Sequence, residues 1–514
     1  MASAGLVCLA ALIVLGAYTR VINVTRVHYI SGLVDQVWHV SAARELAETG
    51  RLTSNVIFTS LIYQDFTKNI LYMPGYYFVL AAVYKLLGFG WIQSMLPSLI
   101  SFVLAAVCIY LLARRLYGGR AALGAVVLFL FFPAVLFYAF TAMLELVFIA
   151  VCLLTMCLFV FLRHYLRPWL GGILLLLPFL IRETGVVLVI PMALLVAAHA
   201  PEWRERLGSL AIFVLATGLL LISVARSELL AGRPSMLFAF VMAPNDTVLY
   251  FDPAAQSAVI HPTLAEGISA VIRKSAANLS WLLFDPHKSP FEDVFFFCIL
   301  GAVILCMLIG FRNRDMFALG SGLASLCMFA FIVGFNRLSG YIGMRHLLFT
   351  TPLLMVVVGA VFAQRLSAWS RTSSKTFVQL GAALVLLGYA LISVWSVRFM
   401  YKDAAGFDAF VDGFTRLVET LGHDDNTVLV SAFPYSAGYA FTHHPVRWAL
   451  LPANEESLQM LASKYAIGTL ILPRARRLDA FPLTDASLHS VGLTYERTVS
   501  YGGIEYGIYK HKIP

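Results

Sequence analysis

The sequence predicts a mainly α-helical membrane protein with about 11 transmembrane helices that ends in a small extracytoplasmic α/β domain. Three observations lead to this fold class. Hydrophobic residues make up 60% of the 514 residues, only 13% are charged, and the mean hydropathy is +0.82, whereas soluble domains carry about 25% charged residues. The apolar runs have the length that a bilayer core requires, about 17 to 25 helical residues. After Arg398 the composition changes to that of a soluble domain.

The predicted spans follow from the apolar runs. They lie at 5–22, 91–113, 120–138, 144–162, 168–181, 185–199, 208–226, 293–311, 316–335, 347–364 and 376–398. The runs 168–181 and 185–199 are short and flank the sequence IRETG. They form either two spans or one broken or re-entrant hairpin.

The orientation follows from the short connections that are rich in Lys and Arg, because cytoplasmic loops hold the excess of these residues. These connections are ARRLYGGR, RHYLR, EWRER, FRNRD and QRLSAWSRTSSK. The first outer loop (23–90), the large outer loop (227–292) and the tail then lie outside. The sequence therefore predicts a multi-pass protein of the cell inner (cytoplasmic) membrane, with its active site and C-terminal domain on the extracytoplasmic side.

The net charge of +9 belongs to the membrane part. Residues 1–398 hold 27 Lys and Arg against 16 Asp and Glu, whereas residues 399–514 hold 10 against 12. This distribution favours anionic headgroups or a phosphate-bearing lipid. Membrane lipids, and no nucleic acid, are the predicted partners. All seven cysteines fall in predicted spans, where they suit packing better than a disulfide framework or a metal cluster.

The chain divides into a transmembrane catalytic domain, residues 1–398, and a soluble domain, residues 399–514. In the soluble domain NTVLVSAF and AIGTLILP read as buried strands, and NEESLQMLASKY between them reads as a helix. Aromatic and leucine residues from Phe407 to Leu421 recur at helical spacing before the strands, and LTYERTVSYGGIEYGIYKHK reads as a hairpin closed by Gly502 and Gly503. The domain carries no motif that indicates chemistry.

The long polar first outer loop indicates a membrane enzyme, because a transporter or channel usually joins its first helices by a short turn. The loop carries Asp35 in VDQVWHVSAARELAETG. Asp35, Trp38, Ala42 and Leu46 fall at helical spacing, which predicts a surface helix whose apolar face rests on the bilayer. A loop aspartate is otherwise a solvated turn residue. His39 either assists proton transfer or is a bystander.

Ionisable residues next to apolar runs are costly in a membrane and need a reason. Glu145 stands at the outer start of a predicted span, and Arg182 and Glu183 interrupt LLLLPFLIRETGVVLVIP. Two interpretations remain open for the pair: the two charges neutralise one another at an interface, or they serve a substrate. Glu145 is either an interfacial residue or part of an active site.

A further cationic group stands just outside a predicted span, in NRLSGYIGMRHLLFTTPLLM. It contains Arg345, His346 beside it, and Arg337 eight residues earlier. A guanidinium at the level of the lipid headgroups can bind a phosphate with two parallel hydrogen bonds. The alternative is ordinary snorkelling of the side chains to lipid headgroups.

The order of these motifs resembles the GT-C superfamily of integral-membrane glycosyltransferases. The motifs are the first-loop Asp, the turn MPGYY followed by VLAAVYKLLG, then ARRLYG, FFPAVLFYAFTAMLE, LIRETG and MRHLLFTTP. They are most similar to the bacterial branch related to protein O-mannosyltransferases and aminoarabinose transferases. The resemblance covers most of residues 20–360, and the tail resembles the outer soluble domain that many such proteins append.

The resemblance implies a transferase that uses a polyprenyl-phosphate-linked sugar donor and a lipid, glycan or protein acceptor. Asp35 occupies the place of the catalytic first-loop acid, Glu145 that of a second acid that holds the reacting groups, and Arg345 that of the residue that meets the donor phosphate. The aminoarabinose transferases carry Lys-Pro where this chain has Met73-Pro74, so Lys68 and Arg337 are further candidates for the phosphate. The expected substrate-binding residues are Trp38, His39, Tyr76, Arg182, Glu183 and His346.

The residue types fit the chemistry independently, since a polyprenyl phosphate is already a good leaving group. The reaction needs a base for the acceptor hydroxyl, which Asp35 can provide, and a cation for the departing phosphate, which Arg345 can provide. Attack from the face opposite the phosphate inverts the anomeric centre. A divalent cation such as Mg or Mn is compatible with this chemistry, although no ligand motif is present.

Two other classes remain open. A lipid or sugar transporter would share the apolar spans, but it should show paired repeats and polar residues at mid-membrane. A polymerase or ligase of surface polysaccharide would be multi-spanning and basic too, but its large catalytic loop usually lies late in the chain.

Overall fold

The computed structural model describes most of the membrane part and the elements of the tail. The described residues are 2–22, 34–53, 56–57, 73–162, 168–199, 202–230, 269, 272–273, 275–280, 290–335, 347–372, 375–421, 427–431, 447–450, 455–473, 485–501 and 504–511.

The membrane part is helical. Its helices are α1 (Ala2–Ile22), α2 (Val34–Thr49), α3 (Gly75–Leu87), α4 (Trp91–Tyr117), α5 (Gly119–Leu130), α6 (Pro133–Ala139), α7 (Glu145–Leu162), α8 (Pro168–Leu174), α9 (Leu176–Ile181), a 3-10 helix (Glu183–Leu188), α10 (Val189–His199), α11 (Trp203–Leu230), α12 (Pro290–Asn313), α13 (Met316–Phe335), α14 (Thr351–Thr372) and α15 (Lys375–Leu421).

The tail is a small α/β unit, as predicted. Its elements are β2 (Val428–Ser431), β3 (Arg447–Leu450), α16 (Glu455–Lys464), β4 (Ile467–Pro473), α17 (Asp485–Ser490), β5 (Leu493–Tyr501) and β6 (Ile504–His511). The predicted hairpin is confirmed, because β5 and β6 pair antiparallel on either side of residues 502–503. The predicted strands correspond to β2 and β4, and the helix between them to α16.

The sheet contains two strands that the sequence did not predict, β1 (Val56–Ile57) and β3. The strand β1 belongs to the first outer loop and pairs in parallel with β3, with Val56 opposite Trp448. The strand order is β1-β3-β2-β4-β6-β5, and the strands from β1 to β4 are parallel. The tail therefore shares its sheet with the loop that follows α2.

The chain is a multi-pass membrane protein, but the predicted number of spans is not confirmed. Among the described residues, seven helices are long and apolar enough to cross a bilayer, or eight if the bent pair α5 and α6 forms one span. The predicted span 120–138 is split because α5 and α6 meet at 62°, just before Pro133, whose ring cannot continue a helix. Region 168–199 is divided into two shorter apolar helical stretches, Leu170–Ile181 and Thr184–Ala198.

The interior of the membrane part is built around α4 and α7. Of their apolar stretches, 61% and 72% of the residues are buried inside the protein, against 6% for residues Thr376–Arg398 of α15. The latter therefore present their apolar side chains to lipid. Beyond Arg398 the same helix continues to Leu421, and it carries the helical spacing from Phe407 to Leu421 that the sequence predicted.

The helices α5 and α14 approach each other closely where both carry small residues. A side chain at Gly359 of α14 would place its Cβ 2.5 Å from the Ala125 amide nitrogen and 2.9 Å from the Ala121 carbonyl oxygen. Such small-residue contacts let membrane helices pack by their backbones. The backbone of α5 leaves no room for a larger residue at this position.

We expect Gly359→Leu to lower the thermal unfolding midpoint, because overpacking a tight contact costs about 1–3 kcal/mol or more. The control is Gly388→Leu in α15, where a side chain meets no atom of the described residues within 4 Å. Thermal unfolding in one detergent measures both variants. Equal stability of the two variants would contradict this packing.

Candidate active site

The centre of the candidate site is an ion pair between Glu145 and Arg182. The Arg182 Nη1 atom lies 3.8 Å from the Glu145 Oε1 atom, and the two residues are only 3% and 8% exposed. Burying either charge alone would be costly. The arginine therefore compensates the glutamate, and neither residue is a freely solvated surface group.

The backbone around Arg182 explains its position. The helix α9 ends at Ile181, and Arg182 adopts an extended conformation (φ −159°, ψ 137°) before the 3-10 helix begins. Its amide donates to the Pro178 carbonyl at 2.9 Å, and its carbonyl accepts from the Gly185 amide at 3.0 Å. The sequence IRETG thus breaks the helix at the arginine and satisfies the backbone groups locally.

The MPGYY turn lies against this break. A side chain at Gly75 would place its Cβ 2.5 Å from the Leu180 carbonyl oxygen and 2.9 Å from the Ile181 Cδ1 atom. Glycine therefore lets α3 begin in contact with the end of α9. This contact brings Tyr76 and Tyr77, both buried, to the segment that carries Arg182.

Tyr76 provides a buried hydroxyl next to the ion pair. Its ring is in edge contact with the fully buried His39, with centroids 4.9 Å apart, and its hydroxyl has no hydrogen-bond partner among the described residues. Burial raises the pKa of Tyr76 well above its ordinary value, and the Glu145 carboxylate acts in the same direction. The phenol therefore keeps its proton and can donate a hydrogen bond to a ligand.

The helix α2, which carries Asp35, packs against protein. Its buried face contains Gln36, His39, Val40 and Ala43, and the Ala142 amide donates to the Gln36 Oε1 atom at 2.9 Å. On the predicted apolar face, Ala42 is buried and Leu46 packs against the protein core, so the prediction that this face rests on the bilayer is wrong. The buried polar residues Gln36 and His39 also find their contacts in the protein.

The turn between α6 and α7 receives this contact and leads directly into Glu145. On its other side, the Ser98 hydroxyl of α4 donates to the Met143 carbonyl at 3.1 Å. The residues Thr141 to Leu144 are all buried. The helix of the first outer loop and the start of α7 are thus joined at this turn.

The described end of the motif MRHLLFTTP also reaches α7. The rings of Phe349 and Phe148 have centroids 4.9 Å apart, and Phe148 lies three residues beyond Glu145 in the sequence. Residues 347–351 are buried, and the hydroxyls of Thr350 and Thr351 donate to the Leu347 carbonyl. The segment that follows Arg345 is therefore part of the same interior.

The predicted site residues divide into three groups. The structure brings together His39, Tyr76, Glu145 and Arg182. Asp35, Trp38 and Glu183 lie in described helices, α2 and the 3-10 helix, but their side chains are outside the description. Lys68, Arg337, Arg345 and His346 lie outside the described residues.

The described contact of Arg182 is with Glu145. The interpretation that Arg182 and Glu183 neutralise one another stays a prediction, because the Glu183 side chain lies outside the description. Gln36 was missed. Its signal was present, since residues 36, 40 and 43 fall at helical spacing and form the buried face of α2. Among the described residues, no three His, Cys, Asp or Glu side chains lie close enough together to hold a metal ion.

Comparisons with known proteins agree with this architecture. Residues 73–226 match the family model for dolichyl-phosphate-mannose-protein mannosyltransferases, a range that includes Glu145 and Arg182. A search of curated proteins finds no match. Among solved structures, the chain is similar to ArnT from Cupriavidus metallidurans with bound undecaprenyl phosphate, with a TM-score of 0.54, 14% identity, and coverage of 98% of this chain and 97% of that chain.

Two further structures show the same similarity. The apo form of ArnT from Cupriavidus metallidurans gives a TM-score of 0.50 at 14% identity, over 99% of this chain and 98% of that chain. The oligosaccharyltransferase from Archaeoglobus fulgidus in complex with Zn and sulfate gives 0.50 at 13% identity, over 85% of this chain and 64% of that chain. This chain therefore has the GT-C fold, which confirms the resemblance that the sequence motifs indicated.

The ion pair predicts a specific pattern of stability. We expect Arg182→Met to destabilise the protein by about 3–5 kcal/mol, because it removes the described cationic partner of the buried Glu145 carboxylate. Adding Glu145→Gln to this variant should restore part of the loss, since the buried charge is then gone. Thermal unfolding of the wild type, both single variants and the double variant measures the coupling. Strictly additive losses would contradict a direct interaction between the two side chains.

Proposed function

We propose that this protein is a glycosyltransferase that moves a hexose or pentose from a polyprenyl-phosphate donor to a lipid, glycan or protein acceptor. In this proposal, the reaction takes place on the extracytoplasmic side of the cytoplasmic membrane and inverts the anomeric centre. The observation that carries the proposal is the convergence of the first outer loop, through α2 and α3, on the buried Glu145–Arg182 pair. A GT-C fold similar to ArnT with bound undecaprenyl phosphate supports the donor class.

Asp35 is the proposed base. It precedes Gln36, whose side chain contacts the turn before Glu145, so the backbone of Asp35 belongs to the wall of the site. The carboxylate accepts the proton of the acceptor hydroxyl as oxygen attacks the sugar C1 atom. The bond from C1 to the phosphate oxygen breaks with its electron pair, and polyprenyl phosphate leaves.

The second proposed requirement is a cation at the leaving phosphate. Arg345 is the proposed ligand, with Arg337 or Lys68 as further ligands. The segment after Arg345 packs against α7 close to Glu145, which supports a phosphate position near the pair. A guanidinium stabilises the negative charge that builds on the phosphate oxygens in the transition state.

The remaining candidates hold the sugar and the acceptor. Glu145 is already compensated by Arg182, so its carboxylate is suited to accept hydrogen bonds from hydroxyl groups. Tyr76 can donate one from its buried phenol. The other proposed substrate-binding residues are Trp38, His39, Arg182, Glu183 and His346.

We expect Asp35→Asn to lower the transfer rate about 10²–10⁴-fold, because the amide keeps the shape and loses the proton affinity of a base. The measurement is transfer by the purified full chain in nanodiscs with a panel of polyprenyl-phosphate sugars. Glu48→Gln is the control, since it removes a partly exposed carboxylate from the other end of α2. Normal transfer by a folded Asp35→Asn protein would exclude this role, and inactivity of the wild type with every donor would count against the function itself.

Arg345 distinguishes a phosphate ligand from a snorkelling side chain. A ligand predicts partial activity for Arg345→Lys, which keeps the charge and loses the two parallel hydrogen bonds, and near-complete loss for Arg345→Ala with weaker donor binding. The control, Arg365→Ala, removes an exposed arginine later in α14. Affinity for polyprenyl phosphate and transfer rate are measured in one nanodisc preparation. Unchanged affinity in Arg345→Ala would move the phosphate site to Arg337, Lys68 or the 227–292 loop.

A further inference from the structure

The turn between α6 and α7 cannot satisfy all of its own backbone groups. The helix α6 ends at Ala139, and the amides of Phe140 and Thr141 still find helical acceptors, the carbonyls of Phe137 and Tyr138. The next amide, that of Ala142, donates instead to the side chain of Gln36 at 2.9 Å. A buried amide without an acceptor costs about 1–3 kcal/mol of stability, and the hydrogen bond from the Ala142 amide to Gln36 avoids this cost.

This hydrogen bond joins two elements that are 106 residues apart in the sequence. On one side is α2, in which Gln36 directly follows Asp35. On the other side is the turn whose last residue, Leu144, precedes Glu145. Because helices are rigid over one turn, the bond restricts how far α2 can slide or rotate relative to the start of α7.

We propose that Gln36 is a positioning residue, which holds the helix of Asp35 at a fixed distance from Glu145 through the Ala142 amide. This role rests on the proposed function of Asp35 and Glu145. Gln36 itself touches neither substrate nor reacting atom. A displacement of about 1 Å between reacting groups can cost about 100-fold in rate, so loss of this hydrogen bond should lower turnover as well as stability.

The structure provides a matched comparison in Ser98. The Ser98 hydroxyl supports the same turn at 3.1 Å, through the neighbouring Met143 carbonyl, and it extends from α4 without contact to α2 in the described hydrogen bonds. Ser98 is as buried as Gln36. Loss of Ser98 therefore loosens the turn itself, whereas loss of Gln36 releases the turn from the helix that carries Asp35.

The test compares Gln36→Met, Gln36→Glu and Ser98→Ala in the full chain in nanodiscs. Met keeps the length of the side chain and removes the acceptor, so we expect kcat to fall about 10–100-fold with the KM for the donor unchanged within about twofold. Glu keeps an acceptor oxygen, so it should restore most of kcat. Ser98→Ala should change kcat by less than about threefold.

The comparison of Met with Glu gives a second readout that a merely space-filling role would not move. The two side chains are similar in length, and only Glu keeps an oxygen that can accept from the Ala142 amide. If Gln36→Met does not fold, Gln36→Asn replaces it, because this amide is one methylene shorter and cannot hold the 2.9 Å contact with Ala142.

Equal losses of kcat in Gln36→Met and Ser98→Ala, or equal losses in Gln36→Met and Gln36→Glu, would overturn the role of Gln36. The proposed function would survive either result, because the wild type remains active. A wild type that transfers no sugar from any donor would overturn the proposed function, and the positioning role with it.

Discussion

The structure depends on one costly interaction, the buried pair of Glu145 and Arg182. A charge in the interior of a membrane protein is tolerated when a partner or a functional role compensates it. Here the partner stands on a different segment, so the chain must bring the start of α7 to the break between α9 and the 3-10 helix. The extended conformation of Arg182 achieves this, and it interrupts the apolar run that would otherwise form one straight helix.

The rest of the site follows from that break. The helix α3 begins at Gly75 in close contact with the end of α9. Its residues Tyr76 and Tyr77 then pack against His39 of α2. The helix α2 then reaches the turn before Glu145 through Gln36. The contacts form a closed ring around the ion pair, so each of these segments is held by two others. In the proposed function, such contacts hold the reacting groups in place before a substrate arrives, which reduces the cost of orienting them.

Sequence reasoning predicted the features that depend on local pattern. The break at Arg182, the helix that contains Asp35 and the α/β tail all have signals within a few residues, namely a charged pair in an apolar run, helical spacing and alternating element types. The contact between Arg182 and Glu145 could not be predicted in this way, because the two residues are distant in sequence and lie on different segments. The bilayer-facing surface of α2 was predicted wrongly for a related reason. The spacing of Trp38, Ala42 and Leu46 indicates an apolar face, but it does not tell whether lipid or protein covers that face. In the structure Ala42 is buried and Leu46 packs against the protein core.

The number of spans illustrates a different limit. Hydropathy sums apolar residues along the chain, and it does not register where the helix axis turns. The helix axis changes direction just before Pro133, so that α5 and α6 meet at 62°. The residues on both sides of this bend are apolar, so hydropathy gives no sign of it. The two short apolar stretches on either side of Arg182 are separate because the extended backbone of Arg182 ends α9. The break at Arg182 lies at the ion pair, and the break before Pro133 lies at the start of α6, the helix that leads into the buried turn.

The strand β1 adds a contact between the first outer loop and the tail to this ring of contacts. It has only two residues, Val56 and Ile57, and a strand this short has no periodicity that a sequence could reveal. Its parallel pairing with β3 ties the segment after α2 to the sheet of the tail. The tail is tied to the membrane part a second time through α15, which runs without interruption from Lys375 to Leu421, and the Leu421 carbonyl accepts a hydrogen bond from Lys510 of β6 at 2.7 Å. Two connections restrict the movement of the tail relative to the membrane part more than one connection would. The first outer loop is therefore held at its α2 end by the turn before Glu145 and further along by the sheet of the tail, and the position of the helix that carries Asp35 depends on both parts of the chain.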